Sequence, residues 1–332
     1  MVTSPMIIDE KYILRPAEEG DIPGIISCIR EEYGDCYYRR AFYSEDYLRK
    51  NMPHLNLFVA VEGEQLCGFQ SMISHKPEDE YVEGASQIFF KEYRGFGLSR
   101  KLVDYTYDIA RKQSFYSIYA TAVTFHKITQ SMCEKEGMLP IGFNLGSYIT
   151  SKMHNSFHLG SNEKYVQAIL LLPLIKPENK RVYIDERTKD LAQYIYENLG
   201  VKYQIITDKA EPEILQSDIE IKVNAREQQV ILRVNEIGGD FKEQIVEIKN
   251  KYHGELWTMQ LILPIEAPES VWAQRVLKDE GFFVSGMRPL CNKKEQMFMQ
   301  YIGDVRFNVE ELELTDNAKA LIRKILSLRE EG

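Results

Sequence analysis

The stretch Gln87-Ile-Phe-Phe-Lys-Glu-Tyr-Arg-Gly-Phe-Gly-Leu-Ser-Arg-Lys-Leu102 constrains the fold of this chain more than any other. Its apolar run ending at Phe90 reads as a strand. Leu98, Leu102, Val103 and Ile109 then recur at the spacing of one helix face. Between them lies Arg94-Gly-Phe-Gly-Leu-Ser99, a turn with two glycines and no β-branched residue. Glycine lets the backbone turn sharply and approach a ligand closely. The N–H groups and positive dipole end of the helix that follows suit a phosphate group.

The segments before and after this turn alternate in a readable way. Tyr12 to Pro16 reads as a strand, and Asp21 caps a helix carrying Ile22, Ile25, Ile26 and Ile29. A shorter helix covers Ser44 to Asn51, with the serine as its cap. Leu57 to Val61 and Leu66 to Ile73 flank Gly63 as a hairpin. Tyr81 to Phe90 leads into the glycine turn, and the helix behind it ends near Gln113. Ser117 to Val123 is a strand, Phe125 to Glu136 a helix stopped by Gly137, and Phe143 to Ile149 a closing strand.

A β-α-α-β-β-β-α-β-α-β order with a glycine turn after its fourth strand resembles the GNAT superfamily, the Gcn5-related N-acetyltransferases. Their signature, Arg/Gln-x-x-Gly-x-Gly/Ala, reads here as Arg94-Gly-Phe-Gly97-Leu-Ser99, with serine at the last position. A later family segment, Asn-x-x-Ala-x-x-x-Tyr-Glu-Lys-x-Gly-Phe, reads His126-Lys-Ile-Thr-Gln-Ser-Met-Cys133-Glu-Lys-Glu-Gly137-Met138. Glu-Lys-x-Gly is kept, while His126 takes the asparagine slot and Cys133 the tyrosine slot. The resemblance covers roughly residues 11 to 150. It implies an α+β fold, a mixed and mostly antiparallel central sheet flanked by helices, within residues 1–150.

Beyond it, Ser151 to Glu163 is rich in Ser, Asn and Gly and reads as a linker. Strands and helices then alternate again over 164–303: strands at Tyr165–Pro173 and Val201–Ile206, a helix at Arg187–Leu199, a hairpin of Ile219–Val223 with Gln229–Val234, a helix at Phe241–Lys251 and a strand at Leu256–Leu263. An internal echo links the halves. Gln130, Glu136, Gly137 and Gly142 recur 144 residues later as Gln274, Glu280, Gly281 and Gly286. The second half therefore resembles a degenerate copy, as in tandem GNAT proteins. No Arg-x-x-Gly-x-Gly turn survives there, Gly238-Gly239 being the nearest equivalent, so this copy is expected to bind no cofactor. Residues 304–332 form a tail whose helix carries Ala318, Leu321, Ile322, Ile325 and Leu328 on one packing face.

The resemblance implies acetyl-CoA as cofactor and acyl transfer to a primary amine by direct attack in a ternary complex. Its pyrophosphate would lie against Arg94, Gly95, Phe96, Gly97, Leu98, Ser99 and Arg100, and its pantetheine arm beside Phe89 and Phe90, where a backbone N–H would polarise the thioester carbonyl. Glu83 falls where the histone acetyltransferases of the family carry a catalytic glutamate, and partial burial would raise its pKa towards that of a base. It also reads as an exposed edge residue of the acidic run from Glu78. Cys133 could protonate the departing thiolate or simply pack. His126 is a second acid or a contact for pantetheine. Tyr33, Tyr37, Tyr38, Phe42, Tyr43 and Tyr47 either line the acceptor site or belong to the core.

Composition narrows the alternatives. At 332 residues, 44% hydrophobic and 27% charged, the chain reads as an ordinary globular protein of two domains. Its net charge of −9 argues against nucleic acid or an anionic membrane as partner. Five cysteines without a CxxC pair fit reduced thiols, and the start of the chain shows no secretory pattern, so a cytoplasmic location is expected. His154 and His158 have metal-ligand spacing but no third ligand nearby, and no metal is expected. Two functions remain in view: an N-acetyltransferase, with the second half shaping the acceptor cleft or a homodimer interface, and an acyl-CoA-binding regulatory protein without turnover.

Overall fold

The computed structural model describes residues 4–75, 79–152, 161–176, 180–291, 294–306 and 308–330. His154 and His158 lie outside them. The chain divides into two compact units, Met1–Ala120 and Thr121–Gly332. Both mix helices with a mostly antiparallel sheet, as the sequence led us to expect.

Unit 1 begins with strands β1 (Met6–Ile8) and β2 (Tyr12–Pro16), then helices α1 (Ile22–Tyr33) and α2 (Glu45–Leu55). Ser44 caps α2 by accepting the Tyr47 N–H, and Asn56 ends it in the left-handed conformation. Strands β3 (Leu57–Glu62), β4 (Gln65–Ile73) and β5 (Tyr81–Phe89), helix α3 (Leu98–Lys112) and strand β6 (Ser117–Val123) follow, the last three residues of β6 belonging to unit 2. The sheet order is that of the sequence, antiparallel from β1 to β5 and parallel between β5 and β6. Strand β3 is buried on both faces. Leu57, Val59 and Val61 join the cluster under α1 and α2, while Phe58 meets Tyr105 of α3 edge-on at 6.0 Å. Alternation of side chains across a strand makes this two-sided core possible.

Unit 2 contains helix α4 (Ile128–Lys135), strands β7 (Leu139–Ile149), β8 (Lys164–Pro173) and β9 (Lys180–Tyr183), helix α5 (Lys189–Leu199), strands β10 (Tyr203–Ile206), β11 (Asp218–Asn224) and β12 (Gln229–Glu236), helix α6 (Phe241–Lys251), strand β13 (Thr258–Pro264), helix α7 (Glu269–Asp279), strands β14 (Phe283–Cys291) and β15 (Lys294–Tyr301), and helix α8 (Asp316–Glu330). Its main sheet runs β8-β7-β14-β15-β13-β12-β11, and β9 pairs with β10 separately. As expected, α8 packs through Ala318, Leu321, Ile322 and Ile325, here against β7 and β14.

One expectation is corrected by this pairing. Ile149 pairs with Lys164 and Leu139 with Leu171, so β7 and β8 are neighbours in one ladder. The stretch between them joins two paired strands, and a boundary at 150 would cut that ladder. Ser and Asn enrichment marks a connection without saying whether its flanks pair. Lys164 itself is fully buried, and its ammonium donates to the carbonyls of Glu227, Gln228 and Leu256 and to the Thr258 hydroxyl, at 2.7–3.1 Å. A buried ammonium is tolerated only when its donors are satisfied.

The 144-residue echo has a structural counterpart inside unit 2. Gly142 pairs with Gly286, its own repeat partner, where β7 meets β14. A Cβ on Gly286 would stand 2.4 Å from the Gly142 Cα, so the two backbones approach more closely than any side chain permits. Gln130 and Gln274 also act alike. Gln130 donates to the Glu313 carbonyl and accepts the Thr315 N–H; Gln274 donates to the Tyr183 carbonyl and accepts the Asp185 N–H. Each buried glutamine clamps a passing segment at residues i and i+2.

Candidate functional site

The glycine turn of unit 1 is open. Gly95 and Gly97 adopt φ values of +88° and +74°, which other residues enter only with strain. A Cβ built on either would meet nothing within 4 Å. Gly97 precedes α3, and no side chain caps that helix. The first N–H groups of a 15-residue helix thus face an unobstructed turn. These features fit a phosphate-bearing group. Phe96, at the tip, is exposed, Leu98 is buried in the core, and Gln87 holds the Ser99 carbonyl at 2.8 Å.

One expectation at this turn changes, and another is narrowed to a single residue. Arg94 does not reach forward with its charge. Its guanidinium donates back to the Phe89 carbonyl at 3.0 and 2.9 Å and pairs with Glu32, bracing the strand end. The Phe90 N–H donates to the Cys67 carbonyl at 3.0 Å, so it is committed to β4. Successive N–H groups of a strand point to opposite edges, and the Phe89 N–H therefore faces the side of β6. There the parallel ladder ends at Glu83–Tyr119, although β5 continues to Phe89. The Phe89 side chain lies over Gly68.

Glu83, itself buried, is the centre of a polar and charged cluster at the point where that ladder stops. Ile73 lies opposite Glu83 in the β4–β5 ladder, and His75 follows two residues on, on the same face. Tyr119 lies opposite Glu83 on β6. Arg39 enters from the segment between α1 and α2. Its guanidinium meets Glu83 Oε1 at 2.6 Å, while His75 Nε2 stands 3.1 Å from Glu83 Oε2 and 2.8 Å from the Tyr119 hydroxyl. Strand β5 bulges just beyond, with Ser86 at φ +53° and the Tyr37 hydroxyl donating to its Oγ at 2.7 Å. Bulges of this kind re-aim strand side chains.

The electrostatics overturn the expected rise in the Glu83 pKa, and the carboxylate is no exposed edge residue either, being 5% exposed. Burial alone would push its pKa up, but the Arg39 guanidinium and the His75 hydrogen bond outweigh it and hold the group down at about 2. A carboxylate so held is a poor base at neutral pH and a good orienter. It accepts the His75 Nε2 proton and leaves Nδ1 as the ring's acceptor. Sequence reasoning missed His75, Arg39 and Tyr119. The only local signal was a histidine two residues beyond a strand that pairs with the strand of Glu83.

The aromatic cluster divides. Tyr37 and Phe42 are buried, Tyr33 and Tyr43 pack against the same core, and Tyr38 and Tyr47 are exposed at 39% and 36%. Arg39 lies over the Tyr38 ring at 5.0 Å.

His126 and Cys133 belong to unit 2. His126 precedes α4 rather than lying in it, stacks edge-on with Phe125 at 4.8 Å, and has its pKa lowered by burial. Cys133 is within α4, and burial pushes its thiol up to about 12, which makes it a reluctant proton donor. None of the five cysteines is disulfide-bonded. Among the described residues no group of three potential ligands gathers for a metal, and no helix is long and apolar enough to cross a membrane.

An open glycine turn at a helix N-terminus thus lies beside a mixed sheet whose parallel ladder stops short, in an α+β domain. Residues 25–138 match the family model of the acetyltransferase (GNAT) family, and this stretch of the chain is a GNAT domain. Among solved structures, the chain is similar to an N-acetyltransferase from Staphylococcus aureus Mu50 (15% identity, 49% of this chain and 99% of that one, TM-score 0.40). It is also similar to a ribosomal-protein-alanine N-acetyltransferase from Brucella melitensis (14%, 48% and 98%, 0.40). A spermidine N-acetyltransferase variant from Vibrio cholerae is a third (16%, 50% and 95%, 0.41). No curated protein sequence matches.

Proposed function

We propose that the chain is an acetyl-CoA-dependent N-acetyltransferase acting on a primary amine. The observation that carries this reading is the unobstructed turn at Gly95 and Gly97 ahead of an uncapped α3, inside a GNAT domain. The backbone N–H groups from Gly95 to Arg100 would hold the pyrophosphate. Of the two positions expected, Phe89 and Phe90, the Phe89 N–H would polarise the thioester carbonyl. Acetyl-CoA supplies the activated acyl group when bound. His75 Nδ1 accepts the proton of the ammonium nucleophile, while Glu83, held by Arg39, fixes the imidazole tautomer and ring orientation. In direct attack, with no covalent enzyme intermediate, the amine nitrogen would form the amide bond as the thioester C–S bond breaks, and the departing thiolate would take its proton from water, since the Cys133 thiol is a reluctant donor.

The second half, in this reading, is a copy that has lost its cofactor turn. The matched glutamine clamps and the Gly142–Gly286 pair support it. A second function, acyl-CoA binding without turnover, is favoured by one observation only, the high pKa of Cys133 in the tyrosine slot.

Acetyl-CoA binding by calorimetry, followed by thiol release across a panel of amines, tests both. Gly97→Trp should reduce binding by at least about 100-fold, since it fills the turn and strains a left-handed residue. His75→Ala should bind acetyl-CoA as wild type does and lose about 10²–10⁴-fold in kcat. Binding by wild type without thiol release from any amine would select the non-catalytic reading. Absence of binding by wild type would sink both.

A further inference from the structure

Unit 2 holds a cavity of about 220 Å³ between the start of α5, the later part of α7, the start of β14 and the end of α8. Its lining divides into two kinds of surface. Phe282, Phe283 and Met299 are buried and give it an apolar floor. Arg187, Arg275, Lys278 and Arg329 stand around it with a single carboxylate, Asp185. That carboxylate is already engaged. Its Oδ2 meets the Arg275 guanidinium at 2.7 Å, and its Oδ1 accepts the Arg187 N–H at 3.2 Å.

Four cations and one carboxylate line this cavity, the Arg187 guanidinium lying 3.8 Å from that carboxylate, in a chain whose net charge is −9. Like charges gathered at one place repel, and a recess with apolar walls strengthens their field. The single helical turn Glu186–Thr188 that leads into α5 is capped by the Asp185 side chain, so the Arg187 backbone donor there is already engaged. Arg329 lies over the Phe283 ring at 5.2 Å, so charge and apolar floor adjoin directly. A cavity left by imperfect packing would have apolar walls throughout. This one pairs an apolar pit with a cationic mouth, the complement of a molecule with an acidic head on a ring-sized apolar body. Its volume lies below the roughly 300–1,000 Å³ of drug-sized pockets and suits a single ring.

We propose that this cavity binds a small organic acid, its apolar body against Phe282, Phe283 and Met299 and its anionic head among Arg187, Lys278 and Arg329. The site is separate from the glycine turn and does not depend on acetyl transfer.

Calorimetric titration of the full chain with phenylacetate, phenyl phosphate and neutral phenylacetamide tests it. At least one of the two anions should bind with a Kd of about 1 mM or tighter, with phenylacetamide at least about tenfold weaker, a difference of roughly 1.4 kcal/mol. Whichever anion binds more tightly identifies the head group. The double variant Lys278→Gln/Arg329→Gln should lose about tenfold for the anion with an unchanged unfolding midpoint, as surface charge changes rarely alter stability by more than about 0.5 kcal/mol. Should that pair unfold the helix ends, Arg187→Gln, at an exposed side chain, provides the same reading. Equal binding of amide and acid, wild-type affinity in the charge variants, or no heat from either anion at about 10 mM overturns the proposal.

Discussion

Both units place glycines between a strand and a helix, and the two turns do opposite things. In unit 1, between β5 and α3, Gly95 and Gly97 take left-handed conformations and their surroundings are empty to 4 Å. In unit 2, between β12 and α6, the turn Gly238-Gly239 is filled by the chain itself. The Gly239 and Asp240 N–H groups donate to the Ile214 and Leu215 carbonyls, and the Gly238 N–H donates to the Ser217 hydroxyl. Asp240 places its carboxylate against the Ser217 N–H at 2.7 Å. A Cβ on Gly238 would lie 2.3 Å from the Gln216 carbonyl carbon. Glycine serves backbone conformation in the first turn and close contact in the second. An anion finds donors at one and finds them spent at the other.

The units also hold opposite buried glutamates. Glu83 has a folded pKa of about 2 against an ordinary 4.5, so its contribution to stability is full above pH 4.5 and is lost as pH falls through 2. Glu295 is fully buried, and burial raises its pKa to about 7, with Lys180 at 3.6 Å offsetting this only in part. Its protonated form is the one the fold prefers, so its contribution is full below pH 4.5 and is lost as pH rises through 7.

The largest effect expected from these contrasts is that of Glu295→Gln. At pH 8 it should stabilise unit 2 by up to about 3 kcal/mol, and at pH 4 it should be near neutral. Denaturant unfolding at the two pH values checks this, and an equal effect at both would show that Glu295 does not titrate with the fold. Next, Gly238→Ala should destabilise unit 2 by about 1–3 kcal/mol through overpacking, with acetyl-CoA binding unchanged. If it instead leaves stability untouched, the second turn is not filled as described. Asp240→Ala should be the mildest, a small drop in the unfolding midpoint in the same assay, through loss of the hydrogen bonds its carboxylate accepts from the Ser217 N–H and the Gln244 side chain. It should not create acetyl-CoA binding, because the carbonyls of Ile214 and Leu215 still occupy the turn.

The sequence made visible whatever is decided locally. The glycine turn, the Ser44 cap, the helix stop at Gly137 and most strand limits depend on neighbours a few residues away. Even so, α4 starts at Ile128 rather than Phe125, and β7 at Leu139 rather than Phe143. What escaped were outcomes of distant pairing. The Glu83 carboxylate is set by Arg39, 44 residues earlier, and by His75, which a strand pairing brings back to it. Arg94 looked like a phosphate ligand until Glu32 and the Phe89 carbonyl proved to hold it. The pairing of β7 with β8 was hidden because composition between two strands does not reveal their register.

The Gly142–Gly286 contact has a consequence for ancestry. A residue that lies against its own repeat partner sits on a local two-fold axis, and a two-fold contact is self-complementary. On the proposal that the second half is a copy, a strand edge with glycine at that point would have closed on a second copy of itself before the halves shared one chain, and the two glycines would mark the seam that fusion made permanent.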